Sequence, residues 1–247
     1  MPKFFTAREN ISDSRIIINN EDVSHITKVL RLKCGDEIIV CDGRGYDYNA
    51  QIENIEQKEI VCKILSKKKC KSEPNVEVTL FQGIPKASKM DYIIQKTTEL
   101  GISRIVPVML DRCVVKLENK KAEMKKRERW QKIANEAAKQ SGRGVVPIIE
   151  MPVGLDDVIK NIKAMDLCFV PYECEEQQKL RTVLTSKKDI KTVGYIIGPE
   201  GGFDIAEIDK VKAAGIDTVT LGRRILRTET AGEAVISMIM YEIGDIN

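Results

Sequence analysis

The spacing of apolar residues changes rhythm near residue 73. Before that point the segments are short and lean to period two. Arg15-Ile16-Ile17-Ile18 and residues 37–41, 46–52 and 60–65 read as strands, and one helix over 21–30 sets Val23, Ile26, Val29 and Leu30 on a single face. Asp42-Gly43-Arg44-Gly45 is a hairpin turn between two of these strands. Strands this numerous, without helices between them, predict a small barrel or sandwich. Residues 66–74, polar, basic and closed by Pro74, read as a linker.

Beyond it the pattern alternates between strand and helix. Strands are expected over 76–82, 104–109, 145–150, 167–171, 193–198 and 218–221. Between them helices are expected from Ser88 to Gly101 and over 123–140, 155–162, 178–184, 204–215 and 229–241. Met90, Ile93, Ile94, Thr97 and Leu100 form the apolar face of the first of these helices; Trp130, Ile133, Ala134, Ala137 and Ala138 form that of the second. Ser88-x-x-Asp91 and Asp204-x-x-Glu207 have the form of capping boxes. Such an order implies an α/β fold with a mostly parallel sheet, helices on both faces, and a ligand crevice outside the carboxyl ends of the strands.

Composition narrows the chemistry. With 43% apolar and 31% charged residues the chain of 247 can build a core. It has no apolar run of membrane-spanning length and does not open on a signal-peptide pattern, so a cytoplasmic protein is expected. Seven cysteines lack metal-binding spacing and His25 is the only histidine, so no metal is expected and Cys-His nucleophilic chemistry is disfavoured. Net charge is +3, but lysines crowd residues 63–71, a basic run covers 116–132, and Arg223, Arg224 and Arg227 share one loop. Such runs beside a crevice suit a polyanionic partner.

Two loops between residues 195 and 231 carry the strongest signals. Gly198-Pro199-Glu200-Gly201-Gly202 has more glycine than a turn needs and leaves bare backbone for a ligand. It is neither Gly-x-Gly-x-x-Gly nor a P-loop, so dinucleotide and NTP phosphates are not indicated. The second loop, residues 221–230, precedes a helix that Thr228 or Thr230 would cap, Thr230-x-x-Glu233 forming a box. Arginines there oppose the positive end of the helix dipole unless an anion is near.

These residues resemble a known signature. Ile197-Gly198-Pro199-Glu200-Gly201-Gly202-Phe203, followed by Leu221-Gly222-Arg223-Arg224-Ile225-Leu226-Arg227-Thr228-Glu229-Thr230-Ala231, is similar to the RsmE family of 16S ribosomal RNA (uracil-N3) methyltransferases, of the SPOUT class. Similarity extends to Gln95-Lys96-Thr97-Thr98-Glu99-Leu100-Gly101, to residues 130–143, and to His25-Ile26-x-x-Val29-Leu30-Arg31. The resemblance implies a PUA-like β-barrel RNA-binding domain over 1–72 and a SPOUT methyltransferase domain over 73–247. It further implies a C-terminal trefoil knot at about 193–231, S-adenosylmethionine as cofactor, a homodimer, and 16S rRNA of the small subunit as partner. Periodicity alone points to an ordinary doubly wound sheet, since knots are nearly absent from proteins.

Roles follow from the same resemblance. Methylation at N3 of uracil requires loss of the N3 proton and stabilisation of charge moving onto O2 or O4. Arg227 is the expected holder of the base, and Glu200 or Glu229 the proton acceptor or the orienter of that arginine. The cofactor is expected against Pro171, Tyr172, Ile197, Gly198, Pro199, Gly201, Gly202, Leu221, Gly222, Ile225 and Leu226, mainly through backbone. RNA contacts are assigned to His25, Arg31, Lys67, Lys68, Lys69, Lys125, Lys126, Arg127, Gln140, Arg143, Arg223 and Arg224. Two alternatives stay open: a SPOUT methyltransferase acting on another RNA or atom, and a non-catalytic RNA-binding or assembly factor.

Overall fold

The computed structural model describes residues 1–115 and 119–246; Lys116 and Glu118 of the basic run lie outside the described residues. The chain divides into two compact units, Met1–Glu73 with Ala138–Val146, and Pro74–Ala137 with Pro147–Asn247.

The first unit holds β1 (Lys3–Phe5), β2 (Arg15–Ile18), α1 (Asp22–Ser24), β3 (Glu37–Cys41), β4 (Tyr46–Ile55) and β5 (Ile60–Lys69). They form a sheet in the order β1-β3-β4-β5-β2, antiparallel except for β1 on β3. Thr6, just past β1, donates its hydroxyl to the Ile17 carbonyl of β2 at 2.9 Å, so the two edges of the sheet approach each other. Ile16, Ile18, Ile38, Val40, Ile52 and Ile60 fill the interior, on alternate positions as period two demands. Asp42 closes the β3–β4 turn by accepting from the Arg44 and Tyr46 amides.

Two expectations for this unit need correction. The helix expected over 21–30 is only α1 followed by a π turn, His25–Val29, and Val29 is 66% exposed. Leu30 bonds back to the His25 carbonyl and Arg31 takes a left-handed φ of 55°, which turns the chain before a second helical face forms. The run 66–74 is not a free linker. Ser66–Lys69 completes β5 opposite Tyr46–Asn49, because the Lys67 ammonium lies 4.3 Å from the Tyr46 ring centre and 5.5 Å from that of Tyr48, where the aromatic faces attract it. Glu73 then accepts from the Gly144 and Val145 amides at 2.6 and 3.0 Å and pairs with Arg143 at 2.7 Å, which brings residues 138–146 into this unit.

The second unit is a parallel α/β layer. Its elements are β6 (Glu77–Gly83), α2 (Lys89–Glu99), β7 (Arg104–Met109), α3 (Lys120–Gln140), β8 (Ile148–Ile149), β9 (Val153–Gly154), α4 (Leu155–Ile162) and β10 (Leu167–Pro171). They continue with α5 (Leu180–Leu184), β11 (Thr192–Ile197), α6 (Ile205–Ala213), β12 (Asp217–Val219) and α7 (Thr228–Glu242). The sheet runs β12-β10-β11-β6-β7-β8, with β9 also on β7. Alternate strand residues face opposite layers: Leu80, Ile105, Phe169 and Tyr195 pack with α2, α3, α5 and α7, whereas Phe81, Val106, Val170 and Ile196 pack with α4 and α6. Each such fully buried apolar side chain contributes about 1.5–3 kcal/mol.

Local chemistry decides where elements start. Asp204 and Glu207 form the expected capping box on α6. Ser88 makes no side-chain cap on α2, because Asp91 is drawn into an ion pair with Arg129. The strand expected over 145–150 shrinks to β8, since Gln131 binds both the Pro147 carbonyl and the Ile149 amide along its edge. Four cysteines are buried, and loss of solvent pushes the Cys41 and Cys62 thiols up to about 12. No helix of the described residues is long and apolar enough to cross a membrane.

The carboxyl end of β6 touches the loop after β11. A Cβ on Gly83 would lie 2.7 Å from Pro199 Cδ and 2.8 Å from its backbone nitrogen. Gly83→Ala is therefore expected to destabilise the fold by about 1–3 kcal/mol, measured as a lower urea midpoint at constant slope. An unchanged midpoint would show that the Pro199 loop gives way freely.

Candidate functional site

A cavity of about 1130 Å³ opens at the carboxyl ends of β10, β11 and β12. Strand order explains its place. The chain runs from β6 outward to β7 and β8, then crosses to β10 and fills the gap with β11, so the order reverses beside β6. A crevice forms where neighbouring connections leave in opposite directions.

Three loops make the wall. Pro171 and Tyr172 leave β10; Ile197, Gly198, Pro199, Gly201 and Gly202 leave β11; Leu221, Gly222, Ile225 and Leu226 follow β12. Every residue expected against the cofactor is thus on one surface, together with Glu200, Arg223, Arg224 and Arg227. Glu229 stands just off this wall, in the first turn of α7. The wall also has residues that sequence reasoning missed: Lys89, Glu173, Glu175, Glu176, Lys179, Phe203, Thr220, Thr228 and Ala231. The acidic cluster in Tyr172-Glu173-Cys174-Glu175-Glu176 is the available signal, hidden inside an apparent connector.

The glycines are required mainly by the loop itself. A Cβ on Gly198 would come within 3.2 Å of Gly202 and Phe203, and one on Gly201 within 3.1 Å of Arg112 Cβ, so protein atoms occupy those spaces. Gly202 adopts φ +67°. Gly222 differs: its φ is +100° and nothing lies near its missing Cβ. Expected bare backbone for a ligand is therefore found at Gly222, whereas the first loop uses glycine to fold tightly.

The second loop is fixed from below. Thr228 donates its hydroxyl to the Gly198 carbonyl at 2.6 Å and accepts from Gln82 Nε2 at 2.9 Å. It thereby makes no cap of the kind expected, and α7 starts on the backbone of Arg227. Tyr195, wholly buried, donates to the Gly232 carbonyl at 3.1 Å and ties β11 to the same helix. Glu175 anchors the third loop: the Thr218 hydroxyl, at 2.7 Å, and the Gln177 and Gln178 amides hold its carboxyl down at about 2.

Charges around the cavity fall into two sets. Lys89 Nζ lies 3.1 Å from Glu200 Oε1 and 3.4 Å from Glu229 Oε2. Burial pushes the Glu200 carboxyl up, but its own backbone N–H, the Lys89 ammonium and the Lys86 amide outweigh it, leaving the carboxyl below its usual range. Glu200 is consequently ionised at neutral pH and a weak proton acceptor. By contrast, the guanidinium groups of Arg223, Arg224 and Arg227 make no hydrogen bond or ion pair among the described residues, and all three are exposed. Three unpaired cations on a cavity wall leave room for an anion.

Residues expected to meet RNA are distributed over both units. His25, Arg31, Lys67, Lys68 and Lys69 are exposed in the first, His25 edge-on to Phe4 at 6.2 Å. Lys125 is exposed on α3, Lys126 half-buried, and Arg127 donates Nε to the Ile149 carbonyl at 2.9 Å. Gln140 ends α3 exposed. Arg143 departs from the RNA-facing position expected of it: it is 3% exposed and turned inward onto Glu73, whose carboxylate also needs the neighbouring amides.

S-adenosylmethionine fits these walls. The main-chain N–H groups of Leu221, Ile225 and Leu226 donate to nothing among the described residues, so the wall retains main-chain donors for a bound molecule. Glu173, Glu175 and Glu176 supply negative charge suited to a sulfonium and an ammonium.

The comparisons agree with this geometry. Residues 72–240 match the model of the RNA methyltransferase domain, and residues 18–65 that of the RNA methyltransferase PUA domain. Ribosomal RNA small subunit methyltransferase E of Bacillus subtilis is 36% identical over 229 residues, covering 91% of this chain and 89% of that protein. The structure of the Neisseria gonorrhoeae ribosomal RNA small subunit methyltransferase E bound to S-adenosyl methionine superimposes with a TM-score of 0.89 at 30% identity, over 100% of both chains. A Legionella pneumophila methyltransferase in complex with its cofactor gives 0.87 at 30% identity, over 99% of this chain and 98% of that one. With its cavity walled by the two signature loops and its whole length matched, the chain belongs to the RNA methyltransferase family and, within it, to the ribosomal RNA small subunit methyltransferases E.

Proposed function

We propose that this enzyme methylates N3 of one uridine in 16S rRNA of the small ribosomal subunit, using S-adenosylmethionine. The observation that carries the reading is the single wall on which the Gly198–Gly202 backbone turn, the free donors of Leu221, Ile225 and Leu226, and the unpaired Arg227 meet. Bound there, the donor supplies an electrophilic methyl group on a sulfonium. Pro171, Tyr172, Ile197, Leu221, Gly222 and Leu226 would hold it, with the acidic loop beside its cationic groups.

The chain's own residues have three tasks. The uridine must be presented unpaired or flipped, because N3 is hidden in a base pair. N3 must give up its proton before or as it takes the methyl group, and as that proton leaves, negative charge spreads onto the uracil oxygens until the N–C bond forms. Arg227, exposed at the start of α7, is placed to hold O2 or O4 and stabilise that charge. Glu229, the next carboxylate along, is the better acceptor or orienter; Glu200 is held ionised by Lys89 and the Lys86 amide and serves better to position.

Architecture and partners complete the reading. Residues 1–72 act as the RNA-binding PUA-like barrel and 73–247 as the methyltransferase domain, working in the cytoplasm. Threading of about 193–231 into a trefoil knot is supported by β11 lying between β10 and β6 and by Thr228 seated on Gly198. A homodimer is supported by exposed Met238 and Tyr241 on α7, which offer apolar surface to a second copy. Exposed lysines and arginines of both units, Lys68, Lys69, Lys125, Arg223 and Arg224 among them, meet phosphates.

Purified protein is expected to transfer methyl to small subunits lacking N3-methyluridine; activity only on tRNA would replace this substrate. Arg227→Ala is expected to lower turnover by at least about 10²-fold while leaving donor affinity, read by calorimetry, unchanged. Replacing Lys67, Lys68 and Lys69 together by alanine should flatten the slope of log affinity against log salt by roughly 2, at about 0.7–0.9 per phosphate contact. An unchanged slope would remove β5 from the RNA contact.

A further inference from the structure

Lys89 takes no direct part in the methyl transfer just described, yet it joins three elements. It is the first residue of α2, it lines the cavity, and its ammonium contacts one carboxylate from the loop after β11 and another from the first turn of α7. Its side chain is one-third exposed, against 26% for Glu200 and 17% for Glu229. Glu229 Oε2 is buried and makes no hydrogen bond among the described residues; Lys89, at 3.4 Å, is its ion-pair partner. Glu200 is tied to the same place twice, since the Lys86 amide donates to Oε1 at 3.1 Å.

One ammonium shared by two carboxylates draws both toward it. Without the cation, like charges would repel and Glu229 would be a buried, uncompensated anion. We propose that Lys89 is a positioning residue for methyl transfer: it clips Glu200 and Glu229 together beside the donor cavity and so fixes the carboxylate that serves the target base. The proposal rests on the methyl-transfer reading of this site. Glu229 directly follows Arg227-Thr228, so the same clip sets where the first turn of α7 presents its arginine.

The groups facing this pair are few. Glu200 meets Lys89 and the Lys86 amide from the start of α2, Glu229 across the shared ammonium, and the Cys113 thiol beyond β7; Arg112 binds the carbonyl of its neighbour Gly201 at 3.0 Å. Glu229 meets Lys89 and, one turn along α7, Glu233. Lys89 helps hold the Glu200 carboxyl below its usual range, so its loss leaves burial, which acts upward, less opposed. An acid limb set by Glu200 must then move to higher pH.

The test uses the full chain as wild type, Lys89→Met, Lys89→Gln and Lys89→Arg, each checked for folding by urea denaturation. Donor affinity is read by calorimetry, methyl transfer on small subunits lacking the modification, and the Glu200 carboxyl by NMR titration of ¹³C-labelled glutamate. The expected result for Met and Gln is a fall in kcat on the order of 10²-fold, an acid limb moved up in pH, a Glu200 titration moved up, and donor affinity unchanged. Lys89→Arg should recover most of the rate. Either neutral variant with wild-type kcat, or with donor affinity lost in step with rate, overturns the proposal; the second neutral variant decides if the first does not fold. If the wild-type protein itself transfers no methyl to the subunit, the functional reading fails instead. The Glu200 titration then judges the clip alone, an upward shift upholding it and an unmoved one overturning it.

Discussion

The Thr228 hydroxyl accepts from Gln82 and donates to the Gly198 carbonyl, and through these two bonds the ends of β6, β11 and α7 meet at one buried point. Gln82 is fully buried and Thr228 nearly so. Breaking such a bond costs more than its net worth, because the abandoned polar partner stays buried, at about 1–3 kcal/mol. Everything on the cavity wall is referred to this point. Gly198 begins the first loop, Arg227 is the residue before Thr228, and Glu229 the one after. A displacement of the helix start would therefore move the expected base holder, its carboxylate neighbour and the floor of the cofactor loop together.

The charge layout follows from the same geometry. On one side, Lys89 offsets one of the two carboxylate charges it touches. On the other, Arg223, Arg224 and Arg227 stand without partners among the described residues. The acidic loop after β10 and the arginine loop after β12 thus set opposite charges on one cavity wall. The near-neutral total of +3 conceals this division.

Much of this layout is legible in the order of residues alone. Alternation of short apolar runs with helical faces places most strands and helices of the second unit, and the two strand-end loops mark the cavity, because periodicity reports which side of an element is buried. What escapes is non-local. Residues 66–69 look like linker because their lysines are polar, and nothing in the spacing says that Tyr46 and Tyr48 lie across the sheet to receive Lys67. Ser88 reads as a cap whose partner, Asp91, is taken by Arg129 in another helix. Arg143 sorts with the RNA contacts by charge, whereas Glu73 claims it from far along the chain. The glycines of residues 198–202 stand out for a partly mistaken reason, since crowding by Phe203 and Arg112 explains them as well as a ligand would.

The position of β11 has a consequence for the birth of the molecule. It pairs with β6 along its whole length and with β10 on its other side, so it is the inner strand on which the two halves of the sheet join. During synthesis β6 emerges long before residues 192–197, and until they arrive its apolar edge, with Val78, Leu80 and Phe81, has no partner on that side. Pairings so distant in sequence are slow to form. The nascent chain must thus keep this sheet edge open until residues 192–197 arrive, and such exposed edges are where folding intermediates associate.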